Sequence, residues 1–265
     1  MSRSPRLAWR RVRQTLTAFD NGPRVLRDLA AQRLPWGSDE VVFRTASGTV
    51  VHCPNKPGAR VPVYEIFAED TYRLAWLLDG LAAPVVLDIG GHIGCFSLAV
   101  AQRSPRARVW SYEASPSTAG WLARNVTAND LDHRVSTRHV AIADRRGTLS
   151  FADNDGGSSL NGVTAPTGST RQVQVPCITF GDAVAAAGGH VDLVKIDTEG
   201  AEYDIVLASD PADWASVERL VLEYHDVPGR EWSELREFFT DLGLRVTDLE
   251  ETTRRQGTAW LVREH

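Results

Sequence analysis

Three cysteines in 265 residues, Cys53, Cys95 and Cys177, are too few and too widely spaced for a disulfide framework or a metal-binding spacing. They read as small packing residues in a reducing compartment, and a cytoplasmic location is expected. No apolar run approaches the ~20 residues that a membrane span requires. The N-terminal "LAWRRVRQTLTAF" is broken by charge where a signal peptide has a continuous apolar core. A basic excess is also missing. The formal net charge of −5 leaves no electrostatic case for nucleic acid. Basic residues crowd only the start, with Arg3, Arg6, Arg10, Arg11 and Arg13, and are expected to form a solvated helix face. The remainder, 43% apolar and 24% charged, is an ordinary globular mixture sufficient for one large α/β domain.

Residues 5–34 read as two short helices broken at "NGP". "VVFRTASGTVVHCP" alternates around Ser47-Gly48 and reads as a β-hairpin. "YEIFAEDTYRLAWLLDGL" carries apolar residues at helical spacing as far as Pro84. From there strands and helices alternate. "PVVLDIG", "ARVWSYEA", "RVSTRHVAI", "VDLVKID" and "ERLVLEYH" are the strands, and "LRVTDLEE" with "TAWLVRE" is a terminal antiparallel pair. Between the third and fourth strands, "GTLSFADN" and "RQVQVPC" flank a polar loop, residues 153–171, expected to shape a binding pocket. This pattern predicts an α/β fold with a doubly wound, mostly parallel sheet and ligand sites at the carboxyl ends of its strands. The expected organisation is an N-terminal helical and hairpin extension, 1–60, followed by the main domain, 61–265.

"LDIGGHIG" places Gly90, Gly91 and Gly94 where a strand turns into a helix, which lets backbone approach a ligand. The dinucleotide pattern G-x-G-x-x-G is absent, because His92 stands where its second glycine would be. Asp88 precedes the loop. An anion there repels a pyrophosphate and attracts an ammonium group. S-adenosylmethionine has an ammonium group and no phosphate, so it is favoured over NAD. Glu113, at the tip of the second strand, is placed to accept both ribose hydroxyls. Ala141 and Asp144, after the third strand, are candidates to flank an adenine and meet its amino group.

"VVLDIGGHIGCFSLAVA", "YEASP" and above all "VKIDTEGAEYDIVL" resemble the FkbM family of S-adenosylmethionine-dependent methyltransferases, over about residues 60–225. The resemblance implies the class I methyltransferase fold, a Rossmann-like seven-stranded sheet of order 3-2-1-4-5-7-6. It also implies O-methylation of a small-molecule hydroxyl acceptor such as a natural product, sugar or glycolipid. By position, Asp88, Gly90 and Gly94 would hold the methionine part and Glu113 the ribose, with Gly91, His92 and Asp197 nearby and Tyr72 covering the cofactor. The chain departs from the family at His92, where Asn is frequent, and at Phe180-Gly181, where Leu-Asp is.

Methyl transfer needs an aligned acceptor and, for a hydroxyl, a destination for its proton. The fourth strand tip offers Lys195, Asp197 and Glu199, and the neighbouring fifth offers Glu223 and His225. Two mechanisms fit. In the favoured one His225 or Asp197 takes the proton, with Lys195 paired to a carboxylate or lowering the acceptor's pKa; a Lys195–Glu223 cross-strand ion pair without a chemical role is the other reading of the lysine. In the other, Asp197, Glu223 and His225 gather a divalent metal such as magnesium. Trp36 and Trp76 are weaker candidates for acceptor contact. An NAD-type oxidoreductase and a non-catalytic cofactor-binding protein are the alternative readings, and the N-terminal helices could serve a homodimer.

Overall fold

The computed structural model describes residues 5–56, 58–153 and 171–264. Arg3 and most of the polar loop named above lie outside the described residues. Two helices, α1 (Pro5–Ala18) and α2 (Gly22–Ala30), lead into the hairpin β1 (Glu40–Arg44) and β2 (Val50–Pro54). A single turn, α3 (Val61–Tyr64), then widens into a π-helical turn over Glu65–Glu69 before α4 (Leu74–Leu78).

The expected single helix through this region is therefore broken, and the contacts explain why. Arg11 and Gln14 of α1 donate to Glu69 Oε1 at 2.7 and 2.8 Å, and Arg10 reaches the same atom at 2.8 Å. Asp70 and Arg73 take positive φ values of 50° and 55°, which turns Tyr72 inward, and Asp70 accepts the first amide of α4. Two of the N-terminal arginines are thus a clamp on this segment, where the sequence suggested a solvated face.

The alternating region gives β3 (Val85–Ile89), α5 (Cys95–Arg103), β4 (Arg108–Glu113), α6 (Pro116–Ala128) and β5 (Val135–His139). A small excursion follows, with β6 (Ala141–Ile142), β7 (Gly147–Asp153) and β8 (Arg171–Ile178). Then come α7 (Phe180–Ala186), β9 (Leu193–Ile196), α8 (Glu202–Leu207), β10 (Arg219–Tyr224), α9 (Trp232–Asp241), β11 (Leu244–Thr253) and β12 (Gln256–Arg263). The main sheet runs β5-β4-β3-β9-β10-β12-β11, which is the expected order 3-2-1-4-5-7-6, with β12 alone running against the other strands. The central β3 is buried at every residue, as a parallel strand covered on both faces must be.

One expected strand is two. "RVSTRHVAI" leaves the main sheet after His139, and Ala141 and Ile142 pair instead with Cys177 and Ile178 of β8. There Ala141 packs on Val175 and Cys177.

The N-terminal extension shares the domain's core. Phe19, Val41, Phe43 and Val51 belong to one buried cluster with Leu98, Val100 and Leu122. Asn125 of α6 and Asn129, which caps its C-terminus, bind the backbone of β2 as a neighbouring strand would. His52 N donates to Asn125 Oδ1 at 2.7 Å and Val50 N to Asn129 Oδ1 at 2.8 Å, while both amide nitrogens donate back to the carbonyls of the same two residues. The outer edge of the hairpin is satisfied in this way.

Candidate active site

A cavity opens at the carboxyl ends of β3, β4, β9 and β10 and is roofed by the segment from Gly58 to Glu65. Gly90, His92, Glu113, Ala141, Asp144, Asp197, Glu199 and Glu223, all singled out in the sequence, line it. Asp88, Gly91, Gly94, Tyr72, Lys195 and His225 are close by without lining it.

The glycine loop is tight for reasons inside the protein. A Cβ on Gly90, whose φ is 82°, would fall on the carbonyl oxygen of Asp197, and one on Gly91 would fall on Ser111 Oγ. The expected close approach is therefore first of all between β3 and β9. Asp88, expected at the cofactor's ammonium, is fully buried beneath this loop. Its Oδ2 accepts from Ser97 Oγ at 2.6 Å and Ser111 Oγ at 3.0 Å, and its Oδ1 lies 3.4 Å from Lys195 Nζ. That carboxylate acts on the loop from below, and the polar groups around it keep it from the cavity.

Glu113 is held as an acceptor should be. Its Oε2 takes the amide of His92 at 2.7 Å and its Oε1 that of Ser115 at 2.8 Å. Burial raises its pKa, and these amides work in the opposite direction. His92 itself sits at φ 50°, a conformation that Asn adopts as readily, so the departure from the family residue keeps the turn. Burial lowers the His92 pKa to about 4, so its ring is neutral. At the other departure, Gly181, a Cβ would collide with the Asp213 carboxylate, and α7 is still capped in the ordinary way by Thr179 and Asp182. Asp144 lines the cavity with its carboxylate already paired to Arg145 at 2.9 Å.

At the tips of β9 and β10, charge concentrates. Lys195, one of two lysines in the chain, is 3% exposed. It donates to Gly90 O at 2.7 Å and lies 3.6 Å from Asp197 Oδ2. Its partners are therefore Asp88, across the β3–β9 register, and Asp197; Glu223, two residues beyond the position facing Lys195, is held by another group. That group is Tyr72, whose hydroxyl meets Asp197 Oδ2 at 3.1 Å and Glu223 Oε2 at 3.2 Å. Tyr72, expected over the cofactor, thus braces two carboxylates with its hydroxyl.

His225 donates from Nδ1 to Glu202 Oε1 at 3.0 Å. Glu202 is fully buried and also accepts from Thr198 N and Gly200 N, at 2.9 and 3.1 Å. His225 Nε2 then faces Glu199 Oε2 at 3.4 Å and Glu223 Oε1 at 3.8 Å. Asp197, Glu223 and His225 present donor atoms all within 4.8 Å of one another.

This crowding separates the titrations. Burial works against the charge of His225, but Glu202, Asp197 and Glu199 raise its pKa to about 10, so the ring is protonated near neutrality. Burial likewise opposes the ionisation of Asp197, yet the charges of Lys195 and His225 hold it below the usual range. Burial, then Asp197, raises Glu199 to about 8 and Glu223 to about 7. Both shifts weigh against His225 or Asp197 as the group that takes a proton. An imidazolium has no free lone pair, and a strongly held carboxylate is a weak base.

The sequence reading missed Glu65. It lines the cavity from the π-helical turn, and burial followed by the charge of Asp197 raises it to about 7. No motif marks it, since the widened turn that aims it depends on contacts made by α1. Trp36 and Trp76 stay away from the cavity; Trp36 lies on another surface, 75% exposed, and Trp76 stacks on Arg219 at 5.2 Å.

The comparisons with known proteins agree with this geometry. Residues 88–246 match the family described as the methyltransferase FkbM domain. Methyltransferase sdnD of Sordaria araneosa is 25% identical over 213 residues, covering 69% of this chain and 81% of the relative. The 31-O-demethyl-FK506 methyltransferase FkbM of Streptomyces tacrolimicus is 23% identical over 219 residues, 71% of this chain and 82% of its own. A solved S-adenosylmethionine-dependent methyltransferase from Agrobacterium tumefaciens superposes with a TM-score of 0.52 over 86% of this chain and 71% of that one; at 11% identity it speaks to the fold alone. No comparison supports a nicotinamide oxidoreductase, and the family match spans the glycine loop, Glu113 and the tips of β9 and β10. The chain belongs to the FkbM family of S-adenosylmethionine-dependent methyltransferases.

Proposed function

We propose that the enzyme methylates a hydroxyl oxygen of a small molecule, and that the proton of that hydroxyl passes to Glu199. The observation that carries this reading is the two-ended cavity. Glu113 with the β6 side forms a cofactor end, and Asp197, Glu199 and Glu223 form an acceptor end facing Glu65. Similarity to the Streptomyces 31-O-demethyl-FK506 methyltransferase supports the oxygen acceptor.

Glu199 is chosen on geometry. Its φ of 55° throws the side chain off the strand tip, it lines the cavity, and its closest charged contact is the 3.4 Å approach to His225. In the transfer the acceptor oxygen bonds to the methyl carbon and the carbon–sulfur bond breaks. Its electron pair goes to sulfur, and the O–H proton goes to the carboxylate. Among the described residues acids outnumber bases on the cavity wall, where Arg145 is the one arginine and is paired, so neutral or cationic hydroxylated acceptors are favoured over phosphorylated ones. No described helix is long and apolar enough to cross a membrane. All three cysteines are buried and unpaired, in keeping with a reducing, cytoplasmic setting.

The test is turnover of methyl-labelled S-adenosylmethionine against a panel of glycosides and hydroxylated polyketides, with the product's methyl position read by NMR. An O-methyl product, with Glu199→Gln about 10²–10⁴-fold slower and S-adenosylhomocysteine binding intact, supports the reading. An N- or C-methyl product overturns it.

A further inference from the structure

We propose that Asp197, Glu223 and His225 form a divalent-cation site that holds the acceptor oxygen, an inference that rests on the methyltransferase reading and adds a metal to it. Three observations converge. The first is the nitrogen donor. His225 spends Nδ1 on Glu202, a fully buried carboxylate whose remaining capacity goes to the Thr198 and Gly200 amides. A carboxylate behind an imidazole fixes the tautomer that leaves Nε2 as the ligand atom, which is the usual outer support of a metal-bound histidine.

The second is spacing. Nε2 stands 3.4 Å from Glu199 Oε2 and 3.8 Å from Glu223 Oε1, the latter too far for a hydrogen bond. Ligands at about 2.1 Å from one cation lie about 3 Å apart when adjacent and about 4 Å apart when opposite. The three donor atoms, all within 4.8 Å of one another, need only a small inward movement to share an ion.

The third is support for the two oxygen donors. The Tyr72 hydroxyl contacts one oxygen of Asp197 and one of Glu223, fixing both carboxylates from the side away from the cavity, and Lys195 adds a second anchor to Asp197. Each candidate ligand is therefore oriented by a buried residue that does not line the cavity. A lone acidic cluster would not require that.

Two carboxylates and an imidazole suit magnesium or manganese, which keep open positions for other oxygens. Asp197 and Glu223 line the cavity, so those positions face the acceptor. An ion there would polarise the hydroxyl that is methylated, and a neighbouring hydroxyl of a diol could complete the coordination. Binding would displace the proton from His225.

The experiment is a Mn²⁺ titration followed by electron paramagnetic resonance, on full-length protein stripped with EDTA and saturated with S-adenosylhomocysteine. The expected result is one Mn²⁺ per chain at micromolar concentration. Glu202→Gln should weaken it about 10–100-fold, and His225→Asn at least as much, with melting curves showing that both variants fold. Absence of any site tighter than about 1 mM, the weak end of the range for calcium modules, overturns the inference, as does a site indifferent to both variants. Calorimetric binding of S-adenosylhomocysteine in EDTA separates the two ideas. If that binding fails, the methyltransferase reading is at fault; if it succeeds while Mn²⁺ does not bind, only the metal is.

Discussion

Replacing Lys195 by Met removes the cation that joins the glycine loop to the tip of β9, and its consequence can be worked out from the contacts. Lys195 Nζ lies 3.4 Å from Asp88 and 3.6 Å from Asp197, with both lysine and Asp88 essentially excluded from solvent. At an effective dielectric near 20 the first pair alone amounts to about 5 kcal/mol before desolvation is subtracted. Deleting one partner leaves the Asp88 carboxylate buried with two serine hydroxyls as its remaining partners. Stranding a buried charge typically costs about 3–5 kcal/mol. In a chain of this size each kcal/mol moves the melting temperature by about 2–4 °C, so a fall of roughly 6–20 °C is expected. Adding Asp88→Asn removes the stranded charge and should return about 1–3 kcal/mol as coupling in a double-mutant cycle. Urea unfolding of the four proteins measures this, with calorimetric binding of S-adenosylhomocysteine as the control. Because Lys195 does not line the cavity, affinity should stay close to wild type wherever the protein is folded. A Lys195→Met protein that melts like wild type but no longer binds or turns over cofactor would refute this reasoning and make the lysine a participant in the chemistry.

Glu65 carries a pH signature. Its folded pKa, raised from 4.5 to about 7, means that the native state keeps a proton the unfolded chain has lost, so stability falls as pH rises between those values. Glu65→Gln should leave stability at pH 4.5 unchanged and raise it at pH 8 by on the order of 2–3 kcal/mol; equal melting curves at pH 8 would speak against it. Glu113→Gln should weaken S-adenosylhomocysteine binding about 10–100-fold, the loss expected when a hydrogen bond to a charged acceptor is removed. Unchanged affinity in calorimetry would take Glu113 off the ribose. Gly90→Ala combines a left-handed φ with a collision against the Asp197 carbonyl, for about 3–5 kcal/mol in all. A soluble variant melting within a few degrees of wild type would contradict the tight β3–β9 approach.

The candidate residues that line the cavity and those that lie behind it divide along a physical line. Gly90, Glu113, Asp197, Glu199 and Glu223 line the cavity, as the sequence suggested, because a strand tip and the turn after it are local facts, and alternation along a strand assigns a common side. The seven-stranded order was legible from the family resemblance and is the order observed. Asp88 and Tyr72 were assigned to the cofactor because sequence places them near it; their orientation depends on Ser97, Ser111 and Glu223, brought up by other elements. Which acids meet Lys195 was left open by the sequence because the register between β9 and its two neighbours is a tertiary quantity.

By itself, then, the sequence determined the alternation of strands and helices, the glycine turn, the acids at the strand ends and the family. Those follow from local periodicity and from a string as specific as "KIDTEGAE". Only the tertiary structure decided which charges meet. It put Lys195 under the loop with Asp88, set Glu202 behind His225, bent the chain into a π-helical turn that α1 holds by Glu69, and so delivered Glu65 to the cavity. Pairing of buried charges depends on distances of a few ångströms between segments far apart in the chain, and no periodicity within one segment encodes such distances.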